Sequence, residues 1–401
     1  MIKNNSKEKR IYFDWAASAP YPAIRENSAA ADGNPSSQHA EGRAAKLVLE
    51  NARERAASVL NVPPETLYFT SGGTESNSIA LFSNLIRPGR GYVISSMGEH
   101  SSIREGMETL AKTGKPTGII KIDSTGRVTN ETLNKALSQY DVARFAAVMS
   151  VNNETGAITD TASLSGVMRN CKAPVHIHCD LVQAAGKIPI DIAKWDIDSA
   201  SVSAHKISGP RGIGLLYLRK PIDVFYAGGG QERGIRGGTE NTRGAAALAD
   251  CLELAVLGSD SGERGSGSGE PNRMFGGVEE EYIRAKARWK KLIASLLAVK
   301  RCTLIPKERT ADDDRFSPYI LQAAFNDIPG EVMARALDDL GFAVSTGSAC
   351  SSSSPERPVL EAMGIDEKLR IEGIRISQGQ STTDEEIDLL LDGILQILSF
   401  L

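Results

Sequence analysis

Cysteine is scarce in this chain and aromatic side chains are few. Five cysteines stand among 401 residues, and Phe, Trp and Tyr together make up 5%. The thiols, at 171, 179, 251, 302 and 350, form no C-x-x-C pair and are odd in number. A disulfide framework is thereby excluded, and the usage is that of a reducing compartment. Charge of one sign is also missing: 46 basic residues meet 50 acidic ones, for a net charge of −4. That balance gives no electrostatic case for nucleic acid or for an anionic membrane surface as partner. The polar start, Met-Ile-Lys-Asn-Asn-Ser-Lys-Glu-Lys-Arg, leads into no long apolar segment. Neither a signal peptide nor a transmembrane helix is expected, and the expected location is the cytoplasm.

What remains is ordinary globular composition, 41% hydrophobic and 24% charged, in a chain long enough for two domains. Apolar runs of strand length alternate with helical patterns. Strands are expected at 66–70, 92–95, 145–151, 175–179, 199–204 and 213–218, with a helix over 75–86. Near-continuous apolar strands separated by helices indicate an α/β fold with a mainly parallel sheet covered on both faces. Residues 258–277 are rich in Gly and Ser and read as a flexible linker or insertion. Beyond them, strands at 319–325, 342–345 and 374–377 alternate with helices at 278–297, 331–340 and 384–398. The expected division is a large domain over 21–257 and a smaller α+β domain from 1–20 and 278–401.

Five constellations could carry chemistry. Lys206 lies in Ser203-Ala-His-Lys-Ile-Ser-Gly-Pro-Arg-Gly-Ile-Gly214, between two apolar runs. A lysine in such a turn can form a Schiff base with an aldehyde if burial lowers its pKa, or simply be solvated. Thr70-Ser-Gly-Gly-Thr-Glu-Ser-Asn77 ends a strand and has Thr74 opening a helix. This is either an anion site of free N–H groups or a plain capped helix. In His176-Ile-His-Cys-Asp-Leu-Val-Gln183, strand alternation puts His176, His178 and Asp180 on one face and Cys179 on the other. That is poor metal geometry, and no metal is expected. Asp180 at a strand's carboxyl end could instead hold a pyridinium nitrogen protonated. Ser345-Thr-Gly-Ser-Ala-Cys350, followed by four serines, puts a cysteine in a small-residue loop. It is a candidate nucleophile or sulfur carrier, or an incidental surface thiol. Finally, Gly228 to Asn241 is a backbone-rich loop presenting Arg236 and Thr239, able to reach a phosphate. No Walker motif and no dinucleotide fingerprint accompanies these pieces.

In this order the pieces closely resemble the cysteine desulfurases, fold-type I enzymes of the class V aminotransferase group that use pyridoxal phosphate. Asp14 to Pro20, Gly33 to Ser37, Glu99-His100, Val151 to Gly156 and Ile374-Arg-Ile-Ser377 belong to the same likeness, which spans nearly the whole chain. The resemblance implies that Lys206 carries the cofactor and acts as acid and base. Asp180 would pair with the pyridine nitrogen, Gln183 with the phenolic oxygen, and His100 would stack on the ring and serve catalysis. Gly73, Thr74, Ser203 and His205 would bind the phosphate. Thr239 would reach the phosphate of the second subunit of a homodimer. Asn153 and Arg375 would hold L-cysteine, with Arg375 as a carboxylate clamp. Cys350 would take the sulfur as a persulfide and release alanine, for delivery to an acceptor protein in iron–sulfur cluster assembly or tRNA thiolation. Four departures stand out: a short segment between Pro20 and Gly33, Trp15 for a more usual Tyr, Ala227 for a frequent His, and the 258–277 stretch. Competing readings are a selenocysteine lyase or other β-lyase with this cofactor, and a catalytically idle scaffold in a sulfur-transfer complex.

Overall fold

The computed structural model describes residues 10–20, 32–140, 142–226, 228–258, 276–347 and 357–400. Twelve strands appear in chain order: β1 (Ile11–Tyr12), β2 (Leu67–Thr70), β3 (Tyr92–Ser96), β4 (Thr117–Ile120), β5 (Ala143–Met149), β6 (His176–Asp180), β7 (Ser199–Ser203), β8 (Gly214–Leu218), β9 (Cys302–Ile305), β10 (Ile320–Phe325), β11 (Phe342–Ala343) and β12 (Gly373–Ser377). They divide between two compact units. The larger comprises Ala19–Asn152 and Ala157–Tyr282, the smaller Met1–Ser18, Asn153–Gly156 and Ile283–Leu401.

The larger unit is built on one seven-stranded sheet of order β2-β8-β7-β6-β5-β3-β4. Only β8 runs against its neighbours; every other pairing, β7–β6, β6–β5, β5–β3 and β3–β4, is parallel. Strands β2, β7 and β8 are buried along their whole length, as an apolar run covered on both faces should be. Edge strand β4 alternates between buried and exposed positions. Tyr68, Leu81, Ile103, Leu110, Phe145 and Leu216 join strands and helices in one core cluster. Because the parallel connections cross over, the carboxyl ends of β2, β3, β5, β6 and β7 meet along one edge, where ligands bind in such sheets.

The smaller unit holds a three-stranded antiparallel sheet, β12-β10-β9, and the short parallel pair β1–β11. Its core gathers Phe13, Trp289, Leu321, Phe325, Leu337 and Ile376. Arg309 is buried there with no carboxylate in hydrogen-bond contact. Its guanidinium donates to the carbonyls of Thr155 and Ile320 at 2.9 Å and of Ser317 at 3.3 Å, and stacks over Phe316.

The apolar runs place most strands within one or two residues of where the periodicity puts them. Strands β1, β4 and β9 escape it. Thr-Gly-Ile-Ile is short and contains glycine, and β9 runs straight into Pro306. No described helix is long and apolar enough to cross a membrane.

Candidate functional site

The site-forming edge of the larger unit begins where β2 ends. Helix Gly73–Phe82 starts one residue earlier than Thr74, with Gly72 as its cap at φ 149° and ψ −176°. Only glycine takes that conformation without strain. A Cβ on Gly73 would stand 2.6 Å from Cγ2 of Val182, and one on Gly214 would stand 2.6 Å from Cα of Gly72. The turn is therefore packed backbone to backbone, leaving the first N–H groups of a ten-residue helix for an anion. Thr74 is exposed at this start, and Ser203 is buried at the end of β7. Arg236, from the glycine-rich loop, is committed elsewhere: its Nε donates to Glu75 Oε1 at 3.2 Å. That loop is anchored at the outer edge of β2 by Glu232, whose carboxylate receives Arg53 twice at 2.8 Å and the Phe69 N–H at 2.8 Å. Thr239 is exposed on it.

After β7 the chain makes a single tight turn, Ala204–Lys206. Lys206 is half-buried, and its charge is felt by both His100 and His205. Burial, aided by Lys206 and Lys187, pushes His205 down to about 4. His100 caps helix Ser101–Lys112, with Nδ1 accepting from the Ser102 N–H at 3.2 Å. Burial lowers its pKa against the pull of Asp180, so the ring is neutral at physiological pH with its proton on Nε2.

Asp180 closes β6, 2% exposed. Its Oδ1 accepts from the Val182 N–H at 2.9 Å and its Oδ2 from Nδ2 of Asn77 at 2.8 Å. Gln183 is buried one turn on, and Lys187 Nζ donates to its Oε1 at 2.7 Å. Glu99 is buried beside His100. Its Oε1 accepts from the Met149 N–H at 2.7 Å and from Ser96, while Oε2 has no partner. Burial drives this carboxyl up to about 8, so it is protonated at neutral pH.

The smaller unit holds a separate group of residues. Arg375, in the middle of β12, is 1% exposed. It donates from Nη1 to the Asn153 carbonyl and from Nη2 to Asp14 Oδ1, both at 2.9 Å, and its Nε is buried without a partner. Asn153 thus meets Arg375 through its main chain.

Four cysteines are described and all are free thiols. Burial raises the pKa of each, Cys251 and Cys302 to about 12. None is a thiolate nucleophile at neutral pH. Cys350 lies outside the described residues.

Comparison with known proteins decides what this arrangement belongs to. Residues 11–262 match the family model for aminotransferase class V. The chain is 33% identical over 399 residues to the cysteine desulfurase IscS of Vibrio vulnificus, covering 96% of this chain and 91% of that protein. It is also 33% identical over 402 residues to the cysteine desulfurase IscS of Dictyoglomus turgidum, covering 98% and 95%. A solved NifS-like protein superposes with a TM-score of 0.82 at 32% identity, over 98% of this chain and 100% of its own. The chain belongs to the cysteine desulfurase family.

For this desulfurase, the larger unit brings together Gly73, Thr74, His100, Asp180, Gln183, Ser203, His205 and Lys206 around one edge of the sheet, and the smaller unit brings together Arg375, Asn153 and Asp14. Sequence reasoning gave no role to Asn77, Ser102, His178 or Lys187. Asn77 does end the glycine-turn motif and His178 does share a face with Asp180, but nothing in the linear pattern says that they touch.

Proposed function

We propose that this chain uses pyridoxal 5′-phosphate to convert L-cysteine and the thiol of Cys350 into L-alanine and a Cys350 persulfide. Atoms balance without any other reactant: one sulfur moves from substrate to thiol, and the substrate carbon gains hydrogen. The observation that carries the reading is the meeting of a half-buried Lys206, a buried Asp180 and a neutral His100 beside a glycine-packed helix start. The donor set suits this cofactor. An amine is available for its aldehyde, a carboxylate for its pyridine nitrogen, an imidazole for its ring, and N–H groups with Ser203, His205 and Thr74 for its phosphate. Bound there, the cofactor would supply an electron sink for the substrate's carbanion.

The chain's own residues do the rest. Asp180 keeps the pyridine nitrogen cationic, and Gln183 donates to the phenolic oxygen. Lys206 holds the cofactor and then moves protons, with His100 as its neighbour. Arg375, with Asn153, binds the substrate carboxylate through its fork of N–H donors. Cys350 accepts the sulfur and carries it to an acceptor protein of iron–sulfur assembly or tRNA thiolation. Thr239, exposed on its loop, serves the second site of a homodimer. Free thiols throughout the described chain fit the cytoplasm.

The test is alanine release from L-cysteine by the cofactor-loaded protein. Lys206→Ala should abolish both alanine release and covalent cofactor retention. Cys350→Ser should load cofactor normally yet form no persulfide. Preference for selenocysteine by orders of magnitude would overturn the reading.

A further inference from the structure

A buried polar chain runs from inside the sheet of the larger unit to Asp180. His176 Nε2 lies 2.8 Å from Ser199 Oγ, which lies 2.8 Å from Nδ1 of His178. Nε2 of His178 lies 2.9 Å from Oδ1 of Asn77, with Ser201 Oγ further off at 3.4 Å. Nδ2 of Asn77 donates to Asp180 Oδ2 at 2.8 Å and to Ser102 Oγ at 2.9 Å. Both imidazoles stack on Phe145, and His178, Asn77 and Ser199 are essentially unexposed.

Donor and acceptor counting allows one proton arrangement. The Asn77 amide must turn its nitrogen to the Asp180 carboxylate, since two oxygens there would repel. Its oxygen then faces His178, so Nε2 must carry a proton. Burial pushes His178 down to about 3 and His176 to about 4, so each ring has a single proton. Nδ1 of His178 is therefore bare and accepts from the Ser199 hydroxyl. That hydroxyl, having given its hydrogen, accepts from His176 Nε2. Every donor points toward Asp180.

We infer that His178, acting through Asn77, is a positioning residue that keeps Asp180 an oriented carboxylate, able to hold a cationic ring nitrogen. The inference rests on the proposed use of pyridoxal 5′-phosphate. Without the His178 N–H, the Asn77 oxygen loses its donor, and only the contacts of Nδ2 with Asp180 and Ser102 oppose a flip. Flipped, its oxygen would face Oδ2 of Asp180, which would lose that N–H donor. Glu99, neutral behind its own hydrogen bonds, His100 and the buried Cys179 thiol are the described titratable groups that feel the charge of Asp180, and Lys206 acts on His100.

The test has two arms. In the cofactor-free protein, nitrogen NMR of labelled histidine should show His178 as one neutral tautomer, protonated at Nε2, from about pH 5 to about pH 9. An Nδ1–H tautomer or an imidazolium overturns the inference without touching the proposed function. In the loaded protein, the pH at which the cofactor's pyridine nitrogen loses its proton is followed by nitrogen NMR. It should fall by about one pH unit or more in His178→Leu. His178→Gln, whose amide can replace the Nε2–H donor, should restore it. Ser199→Ala, a small change that removes only the hydroxyl, should move it in the same direction by less, and it secures the answer if His178→Leu does not fold. Equal values in wild type, His178→Leu and Ser199→Ala overturn the inference. A wild type that takes up no cofactor overturns the proposed function and the inference with it.

Discussion

The ammonium of Lys187 donates to Oε1 of Gln183 at 2.7 Å, four residues away, with both side chains buried. An amide whose oxygen is so committed has its NH2 group directed to another partner. Lys187 therefore decides which end of Gln183 serves as donor.

Lys187→Met should leave that oxygen buried without its ionic partner. We expect a loss of about 1.5–3 kcal/mol in stability, the usual worth of a charged hydrogen bond. Urea melts of Lys187→Met, Gln183→Met and the double variant check it. The double variant should lose less than the sum of the singles.

Arg53 and Glu232 form a buried pair, with 2% and 4% of each residue exposed. Arg53→Met strands the carboxylate, and a cost of about 3–5 kcal/mol is expected. Changing both to Met should recover much of it, because the stranded charge is then gone. Thermal or urea denaturation of the three variants decides.

Glu99 should leave a signature in the pH dependence of stability. Its folded pKa of about 8 lies above the ordinary 4.5. Between those values the folded state binds more protons than the unfolded one, so this group's contribution falls as pH rises, by up to about 1.4 kcal/mol per pH unit. His176, His178 and His205, all pushed below their ordinary 6.5, act the opposite way at lower pH. The difference between wild type and Glu99→Gln in urea melts from about pH 5 to about pH 8 isolates the carboxyl. A flat difference refutes its burial as an acid.

Arg375→Lys keeps the charge and loses the fork that reaches Asp14 and the Asn153 carbonyl. KM for L-cysteine should rise about 10–100-fold, with a smaller change in kcat. Steady-state alanine production measures both.

The alternation in His176-Ile-His-Cys-Asp180 was legible because a strand's faces follow from its period of two. The turn after β7 and the glycines after β2 were legible because Gly, Pro and hydroxyl residues punctuate apolar runs. What joins them was not. Asn77 and Asp180 stand 103 residues apart, and Arg375 and Asn153 stand 222 apart. Such pairs are created by strand order, and no local period encodes it. The helix start at Gly73 was missed by two residues because Thr74 looks like a cap while Gly72 performs that role through its backbone.

Strand β8, the one that runs the wrong way, supplies none of the side chains proposed for chemistry. It nevertheless sets how the two turns meet. β8 lies between β2 and β7, and the glycine turn folds across its end, so that a Cβ on Gly72 would stand 3.6 Å from Ser203 Oγ and one on Gly73 3.7 Å from Ser203 Cβ. Its first residue, Gly214, touches the backbone of Gly72 on one side and is in register with Ser203 on the other. The two turns thus close on each other over the one residue of β8 that has no side chain. A bulkier residue at 214 would press on Cα of Gly72 and on the Val202 carbonyl at once, each 2.6 Å from its Cβ.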